Sequence, residues 1–445
     1  MHPSEAIRGR HSQLLTGRRI VLGVSGSIAA IETPRIIREL IRHGADVRVV
    51  MSGEAARLVT PESLRFASGH APVTELTGDV EHVTWMGAGD KRADLLLIAP
   101  ATANTISKIA HGIDDTPVTS FASVALGGHI PILLAPAMHA SMGENPAVKA
   151  NLAQLVAWGV EVVGPRREEN EEKVASPDEV AAAVLHRLGR GPWAGRRVVV
   201  IGGASHEPID DVRSVTNESS GETAIALATQ AHYRGALVAL WLGSASTPVP
   251  SFLPVERWGS VEDLRRLVAK ETAALSAADA VWIPAALADY TVKALPEKID
   301  SRQRPHLTLT LAPAPKIIPE IRRRVSAPGI VVGFKLVSRL TPELLRDHSQ
   351  RLLEEADLDA VVGNDRAVMG APTAEVLLLR RDGRSHWIRG PKSEVAGRLL
   401  DELGRDLAFR SAGSPARGSQ SRTHRPRHRS RTGRRSRPTR GPSPG

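Results

Sequence analysis

The chain has 445 residues, 42% of them hydrophobic, and no cysteine. That length accommodates two or three domains, and the lack of thiols excludes disulfides, thiolate metal sites, iron–sulfur clusters and a cysteine nucleophile. The formal net charge of +10 sits at one end: residues 410–445 hold 11 Arg and no acid, and 10 − 11 leaves −1 for the rest, which argues against a nucleic-acid-binding surface on the folded body.

No apolar run approaches the ~18–20 residues of a membrane span, and residues 1–10 lack the apolar core of a signal peptide, so a soluble cytoplasmic protein is expected. After a short extension at 1–16, strand-length apolar runs alternate with helical patterns. The runs at 19–24, 47–51, 94–99, 130–135 and 160–163 read as buried parallel strands. Residues 28–42, 103–110 and 147–158 have helical spacing. Together they predict a doubly wound α/β domain over 17–189.

The glycine- and proline-rich stretch beginning at Gly189 breaks this rhythm, and 190–195 reads as a linker. A second α/β unit is expected over 196–404. Its strands fall at 197–201, 237–242, 280–283, 330–334, 360–362 and 376–379, its first helix at 222–233 and its last at 392–403. From 405 onward almost no large apolar residue remains, so the tail is expected to be disordered and solvated. The alternative is that its arginines contact nucleic acid or another acidic surface.

Two chemical signatures stand out in the first half. Gly23-Val24-Ser25-Gly26-Ser27-Ile28 ends a strand and opens a helix, so Ser25, Gly26, Ser27 and Ile28 form a candidate phosphate cradle. An ordinary glycine turn would look the same. Pro100-Ala101-Thr102-Ala103-Asn104-Thr105 follows the next buried strand, and Pro136-Ala137-Met138-His139 follows the one after. Ligands bind at such strand ends, and small residues there let a flat ring approach the backbone.

These motifs, with Gly112-Ile113-Asp114-Asp115-Thr116, resemble the homo-oligomeric flavin-containing cysteine decarboxylases. Within that group they are similar to the phosphopantothenoylcysteine decarboxylase domain of bifunctional coenzyme A biosynthesis proteins, over residues 17–188. The resemblance implies a flavodoxin-like fold and FMN held by Ser25–Ile28, Ser52, Pro100, Ala101, Thr102, Ala103, Asn104, Thr105, Ala137 and Met138. It implies that the substrate thiol is oxidised before CO₂ is lost. It also places the catalytic histidine on His82, with a surface or core histidine as the ordinary reading. Bacterial members carry Asn where this chain has His139, and a flap cysteine that this chain lacks. The region Gly164-Pro165-Arg166-Arg167-Glu168-Glu169, followed by Lys173-Val174-Ala175, resembles archaeal-type members. His139 is then the candidate proton donor, and Arg166 and Arg167 are either a phosphate clamp or a solvated loop.

The second half carries Pro208-Ile209-Asp210-x-Val212-Arg213-x-x-Thr216-Asn217-x-Ser219-Ser220-Gly221. Ala286-x-Ala288-Asp289-Tyr290 and Pro296-Glu297-Lys298-Ile299 follow. Asn217, Ser219, Ser220 and Gly221 precede a predicted helix, where hydroxyl and N–H groups converge on an anion or simply cap the helix. Lys298 lies in a stretch without periodicity. It reads as an exposed loop lysine or as a cation that closes over a phosphate.

With Ala314-Pro315-Lys316-Ile317, Val332-Gly333-Phe334-Lys335 and Gly363-Asn364-Asp365 in order, this half is similar to CTP-dependent phosphopantothenate–cysteine ligase over about 195–404. The resemblance implies that Asn217 contacts an acyl-cytidylate. It implies that Ile283, Pro284, Ala285, Asp289, Lys298, Ala314, Pro315, Lys316, Ile317 and Phe334 surround the nucleotide, and that Mg²⁺ accompanies CTP. No metal ligands are assigned. Glu222 and Asp300-Ser301 replace residues that are usually lysine in part, which predicts a less cationic site. The family implies trimeric flavin domains and dimeric ligase domains, assembling as far as a dodecamer. The expected function is ligation followed by decarboxylation. The alternatives are a flavin-binding regulatory paralogue, or a ligase with an inactive decarboxylase half.

Overall fold

The computed structural model describes residues 2–412 apart from 165, 169–170, 301, 303–305, 339–340, 367–370 and 372. The expected tail from 413 onward and Glu169 of the flap lie outside the described residues.

Arg19–Val24 (β1) is apolar and buried along almost its whole length, as a central parallel strand must be. It pairs in parallel with Asp46–Met51 (β2) and Leu95–Ala101 (β3). Ile132–Pro136 (β4) and Glu161–Val162 (β5) complete a five-stranded sheet in the order β2-β1-β3-β4-β5. This is the flavodoxin-like order, which reverses between β1 and β3.

Two expectations are corrected. The helix expected over 28–42 is a 3₁₀ turn, Ile28–Glu32, followed by an α-helix, Thr33–Arg42, because Pro34 starts a fresh first turn where its missing N–H costs nothing. The strand expected to be buried at 160–163 is an exposed two-residue edge. The N-terminal extension is not a loose end: Ile7 and Leu15 are buried in the core between the sheet, helix Thr33–Arg42 and helix Pro177–Leu188. A short antiparallel hairpin, Arg166–Glu168 (β6) with Glu171–Lys173 (β7), forms part of the expected flap.

The second half is built on Arg197–Gly202 (β8), which leads into a hairpin of His206–Pro208 (β9) and Ser214–Thr216 (β10). Leu237–Leu242 (β11), Val255–Arg257 (β12) and Ala280–Ile283 (β13) follow. A second hairpin joins Tyr290–Val292 (β14) and Leu311–Pro313 (β15). Ile330–Val337 (β16), Ala360–Asp365 (β17), Thr373–Arg380 (β18) and Ser385–Pro391 (β19) complete the eight-stranded sheet β12-β11-β8-β13-β16-β17-β18-β19. Its first six strands are parallel, and the last two pairings, β17 with β18 and β18 with β19, are antiparallel. The reversal point lies between β8 and β13, as in Rossmann-like sheets. The last helix runs Lys392–Ala412, beyond the expected end at 403. Leu399, Leu403 and Leu407 recur every four residues on its buried face, so packing carries the helix into the segment expected to be disordered.

The segment expected as a linker is pinned. Trp193 is 1% exposed, its ring tilts on Trp282 at 6.4 Å, and its indole N–H donates to Leu400 O at 2.8 Å. Trp193→Ala is expected to destabilise the second half by about 3–5 kcal/mol, read as a lower denaturant midpoint for that half.

Across the junction His186 stacks on His232 at 4.4 Å, and the His186 Nδ1–H donates to His232 O at 3.1 Å. Burial, and then His186, lower the His232 pKa to about 4. Between pH 6.5 and 4 the unfolded chain therefore takes up a proton that the folded chain refuses, so stability falls as pH falls through that window. The expected loss is about 1–2 kcal/mol, allowing for partial exposure. Thermal melts at stepped pH check it: His232→Phe should lose less on acidification than wild type.

Candidate functional sites at two strand edges

The first site lies at the C-terminal ends of β1, β3 and β4. The Ser25 hydroxyl donates to Pro100 O at 2.7 Å and accepts from the Thr102 N–H at 2.9 Å. The Ala137 N–H donates to Ala101 O at 2.9 Å. Three strand ends are thus tied at the reversal point. Ser25 is 1% exposed, and its hydroxyl proton is committed to this tie rather than offered to a ligand.

Ser27 caps the 3₁₀ turn through the Ala29 N–H, Ser52 caps Gly53–Leu58 through the Ala55 N–H, and Thr102 caps Ala103–Ala110 through the Thr105 N–H. A Cβ on Gly26 would come within 2.5 Å of Glu54 Cβ, so only glycine lets the loops after β1 and β2 meet. Pro100 and Ala101 are the buried last residues of β3, and Ala103 is also buried. Asn104 is exposed on the first turn of its helix, Ile28 is exposed, and Ala137 and Met138 follow β4.

His82 lies on helix Glu81–Met86 and faces Phe121 of helix Pro117–Gly127, ring centroids 6.4 Å apart. Its Nδ1 is buried and has no hydrogen-bond partner among the described residues. A buried imidazole nitrogen left without a partner marks a place where a ligand or water completes the bonding. His139 is exposed and caps Ala140–Gly143: its Nδ1 accepts from the Ser141 N–H at 3.2 Å and lies 2.8 Å from Ser141 Oγ. That bonding makes Nδ1 an acceptor and places the proton of the neutral ring on Nε2. Arg166 and Arg167 lie in β6.

The second site is a cleft of about 1270 Å³ at the β8/β13 reversal. It is walled by Thr216–Ala224, Pro284–Asp289, Pro315–Pro319 and Phe334–Leu336, with further side chains from the last two strands and helices. Gly203 has φ +80°, and a Cβ there would meet Ser244 O at 2.8 Å. Glycine therefore makes the turn that brings Ala204 between Ser244 and Ala286. The Ser205 hydroxyl accepts from the Ala288 N–H at 3.0 Å. The Asn217 amide donates to Leu287 O at 2.9 Å, locking the loop after β10 to the loop after β13 and leaving its Oδ1 for a ligand.

Of the residues expected around a nucleotide, Pro284, Ala285, Asp289, Pro315, Lys316, Ile317 and Phe334 line the cleft. Ile283 and Ala314 are buried behind them. Lys298 is exposed and is not among the wall residues. Its loop is anchored instead: the buried Asp210 carboxylate accepts from the N–H groups of Ile299 at 3.1 Å, Val212 at 2.9 Å and Arg213 at 2.7 Å, and from the Arg213 guanidinium at 2.6 Å. The Ile299 N–H leads those that hold this carboxyl well below the usual range.

Sequence reasoning missed His348, Arg351, Arg366 and Lys392 and gave no role to Lys335 within its motif; all five also line the cleft. Glu222 pairs with Lys392, so the charges of these two wall residues offset each other. Lys316 pairs with Asp289 at 2.8 Å and Arg366 with Glu218 at 3.3 Å. Lys335 and Arg351 carry no ion pair among the described residues. Exposed pairs of this kind are worth about 0–1 kcal/mol, so a polyphosphate can displace their carboxylates.

Comparison with known proteins agrees with both halves. Residues 8–189 match the Flavoprotein family, and residues 193–406 match the DNA/pantothenate metabolism flavoprotein C-terminal domain. The coenzyme A biosynthesis bifunctional protein CoaBC of Thermococcus kodakarensis is 42% identical over 91% of this chain and 99% of its own. The protein of that name from Methanocaldococcus jannaschii is 32% identical over 91% and 97%, and that from Bacillus subtilis is 31% identical over 88% and 97%. With both sites on one polypeptide and relatives aligned along nearly their full length, this chain belongs to the family of coenzyme A biosynthesis bifunctional proteins.

Proposed function

We propose that the chain catalyses two successive steps of coenzyme A biosynthesis. The second half joins 4′-phosphopantothenate to cysteine with CTP. The first half then decarboxylates 4′-phosphopantothenoylcysteine to 4′-phosphopantetheine, with FMN as its cofactor. The observation that carries this reading is the pairing of a cleft at the β8/β13 reversal with capped turns and small residues at the β1/β3 reversal, the places where α/β proteins bind ligands.

A carboxylate resists attack by an amine until one of its oxygens becomes a leaving group. In the cleft the phosphopantothenate carboxylate attacks the α-phosphorus of CTP, giving an acyl-cytidylate and pyrophosphate. The cysteine amine then attacks the acyl carbon, losing a proton, and CMP departs with the carboxylate oxygen. Lys316, Lys335 and Arg351 offset the phosphate charge, and Mg²⁺ accompanying CTP would neutralise more of it. Asn217, fixed by its amide, offers Oδ1 to the intermediate. The Lys298 loop closes after the nucleotide binds.

The residues of the first site fit a flavin. Ala101, Ala103 and Ala137 leave the strand ends open to a flat ring, and the capped turns after β1, β2 and β3 direct backbone N–H groups to the edge where a phosphate would lie. A bound flavin supplies the reversible oxidation of the substrate thiol that makes CO₂ a good leaving group. His82 moves a proton at the carboxylate or thiol end of the substrate, and His139, as the imidazolium, donates one to the product. Ile28, Ile31 and Met142, following β1 and β4, are 72%, 56% and 49% exposed. Their exposure supports a site completed by a second subunit, in trimeric flavin domains, with dimeric ligase domains alongside.

The test supplies phosphopantothenate, cysteine, Mg²⁺ and either CTP or ATP, and follows pyrophosphate and CO₂ separately. Yellow protein releasing both, faster with CTP, is expected. Protein that stays colourless after reconstitution with FMN and consumes neither nucleotide would end the reading, and equal rates with ATP would remove the cytosine preference.

A further inference from the structure

His11, Glu39 and His43 converge where the N-terminal segment crosses the end of helix Thr33–Arg42. His11 Nδ1 lies 2.8 Å and His43 Nε2 lies 3.4 Å from the same carboxylate oxygen, Glu39 Oε1. The three donor atoms all lie within 4.8 Å of one another. Around a tetrahedral zinc ion, with bonds of about 2.0–2.1 Å, donor atoms sit about 3.3–3.4 Å apart. The cluster is therefore close to the spacing an ion imposes.

Its surroundings are those of a metal site. The second nitrogen of His43 lies 2.8 Å from Ser12 Oγ, which orients the ring and leaves Nε2 for the centre of the cluster. The second oxygen of Glu39 accepts from Arg42 at 2.9 Å. His43 is 6% exposed, and its ring stands edge-on to His11 and to Tyr233 of the second half, each at 5.6 Å. Half-exposed His11 leaves a side open for a water as fourth ligand.

We propose that His11, Glu39 and His43 bind a divalent transition-metal ion, zinc being the one that suits this donor set, and that the ion clasps the N-terminal segment to the flavoprotein half beside helix Glu222–Tyr233. The clasp is separate from both reaction sites. It joins a segment far along the chain from the strand edges to the element that meets the other half.

The test uses the full chain, stripped with EDTA, free of nucleotide, incubated with Zn²⁺ and passed through gel filtration before its zinc is counted. His424 and His428 in the C-terminal segment can also hold zinc, so the readout is a difference between proteins. Wild type is expected to retain one equivalent more than His11→Ala and His43→Ala. Ser12→Ala, which removes no ligand, should bind about 10–100-fold more weakly. Zinc should raise the melting temperature of wild type and leave that of His11→Ala unchanged. His11 is half exposed, so this variant is expected to fold. Equal zinc content in wild type and in folded His11→Ala, with equal melting shifts, would overturn the proposal.

Discussion

His82→Ala is expected to slow CO₂ release from phosphopantothenoylcysteine by about 10²–10⁴-fold, the usual worth of a positioned proton-transfer group, while the protein stays yellow and ligation continues. The reason lies in how the residue is held. Val80, just before its helix, has φ 44°, a left-handed conformation that a β-branched residue enters only at a cost of about 1–3 kcal/mol. The neighbouring turn is held by Glu81, whose carboxylate accepts from Thr77 Oγ1 at 2.6 Å and from the Thr77 N–H at 3.1 Å. That bonding keeps the Glu81 carboxyl below its usual range, so the turn keeps its anchor throughout the neutral range. The strain and the anchor together present an imidazole whose Nδ1 has no partner among the described residues. Bound flavin measured by absorbance separates a chemical defect from a folding one. Decarboxylation at the wild-type rate in His82→Ala would remove the residue from the mechanism.

Lys298→Ala is expected to lower pyrophosphate release by about 10²–10³-fold, the scale for one preorganised charge-stabilising group, and to spare decarboxylation of supplied product. Lys298 stands outside the cleft wall, so the prediction depends on its loop moving inward. The loop has a fixed base, since Ile299 is 7% exposed and is bonded through its N–H to Asp210 and through its carbonyl to Arg213 at 3.2 Å. Asp210→Asn should then weaken ligation without removing any group that meets the nucleotide, raising KM for CTP more than it lowers kcat. Because the Asp210 carboxyl is held below its usual range, this anchor is complete at neutral pH and is lost only as pH falls well below the ordinary carboxylate range. Ligation in Lys298→Ala at the wild-type rate, with Lys316→Ala impaired, would assign the phosphate contact to the cleft wall instead.

Much of the architecture was readable because central parallel strands are continuous apolar runs. β1, β3, β4, β8 and β13 are buried for all or nearly all of their length, and such runs stand out in the sequence. The antiparallel edge was harder. β19 alternates inside and outside residues around Ile388, and only the Asp382-Gly383 turn, with Gly383 at φ +83°, signals that a strand returns there. Short helices such as Glu81–Met86 and Gly53–Leu58 carry too few turns for a periodicity to stand out.

Local order along the chain determined which chemistries this protein could carry. Motif residues follow strand ends in sequence, and an α/β fold puts strand ends at its ligand-binding edge. Tertiary structure alone decided what each of those residues does there. It turned Ser25 into a tie between strands, matched Glu222 with Lys392 from 170 positions away, and brought Arg351 and Lys335 to one cleft. It also set His11 beside His43 and Tyr233. The physical reason is that hydrogen bonds and ion pairs depend on distances of a few ångströms in space, and separation along a sequence carries no record of such distances once the chain has folded back on itself.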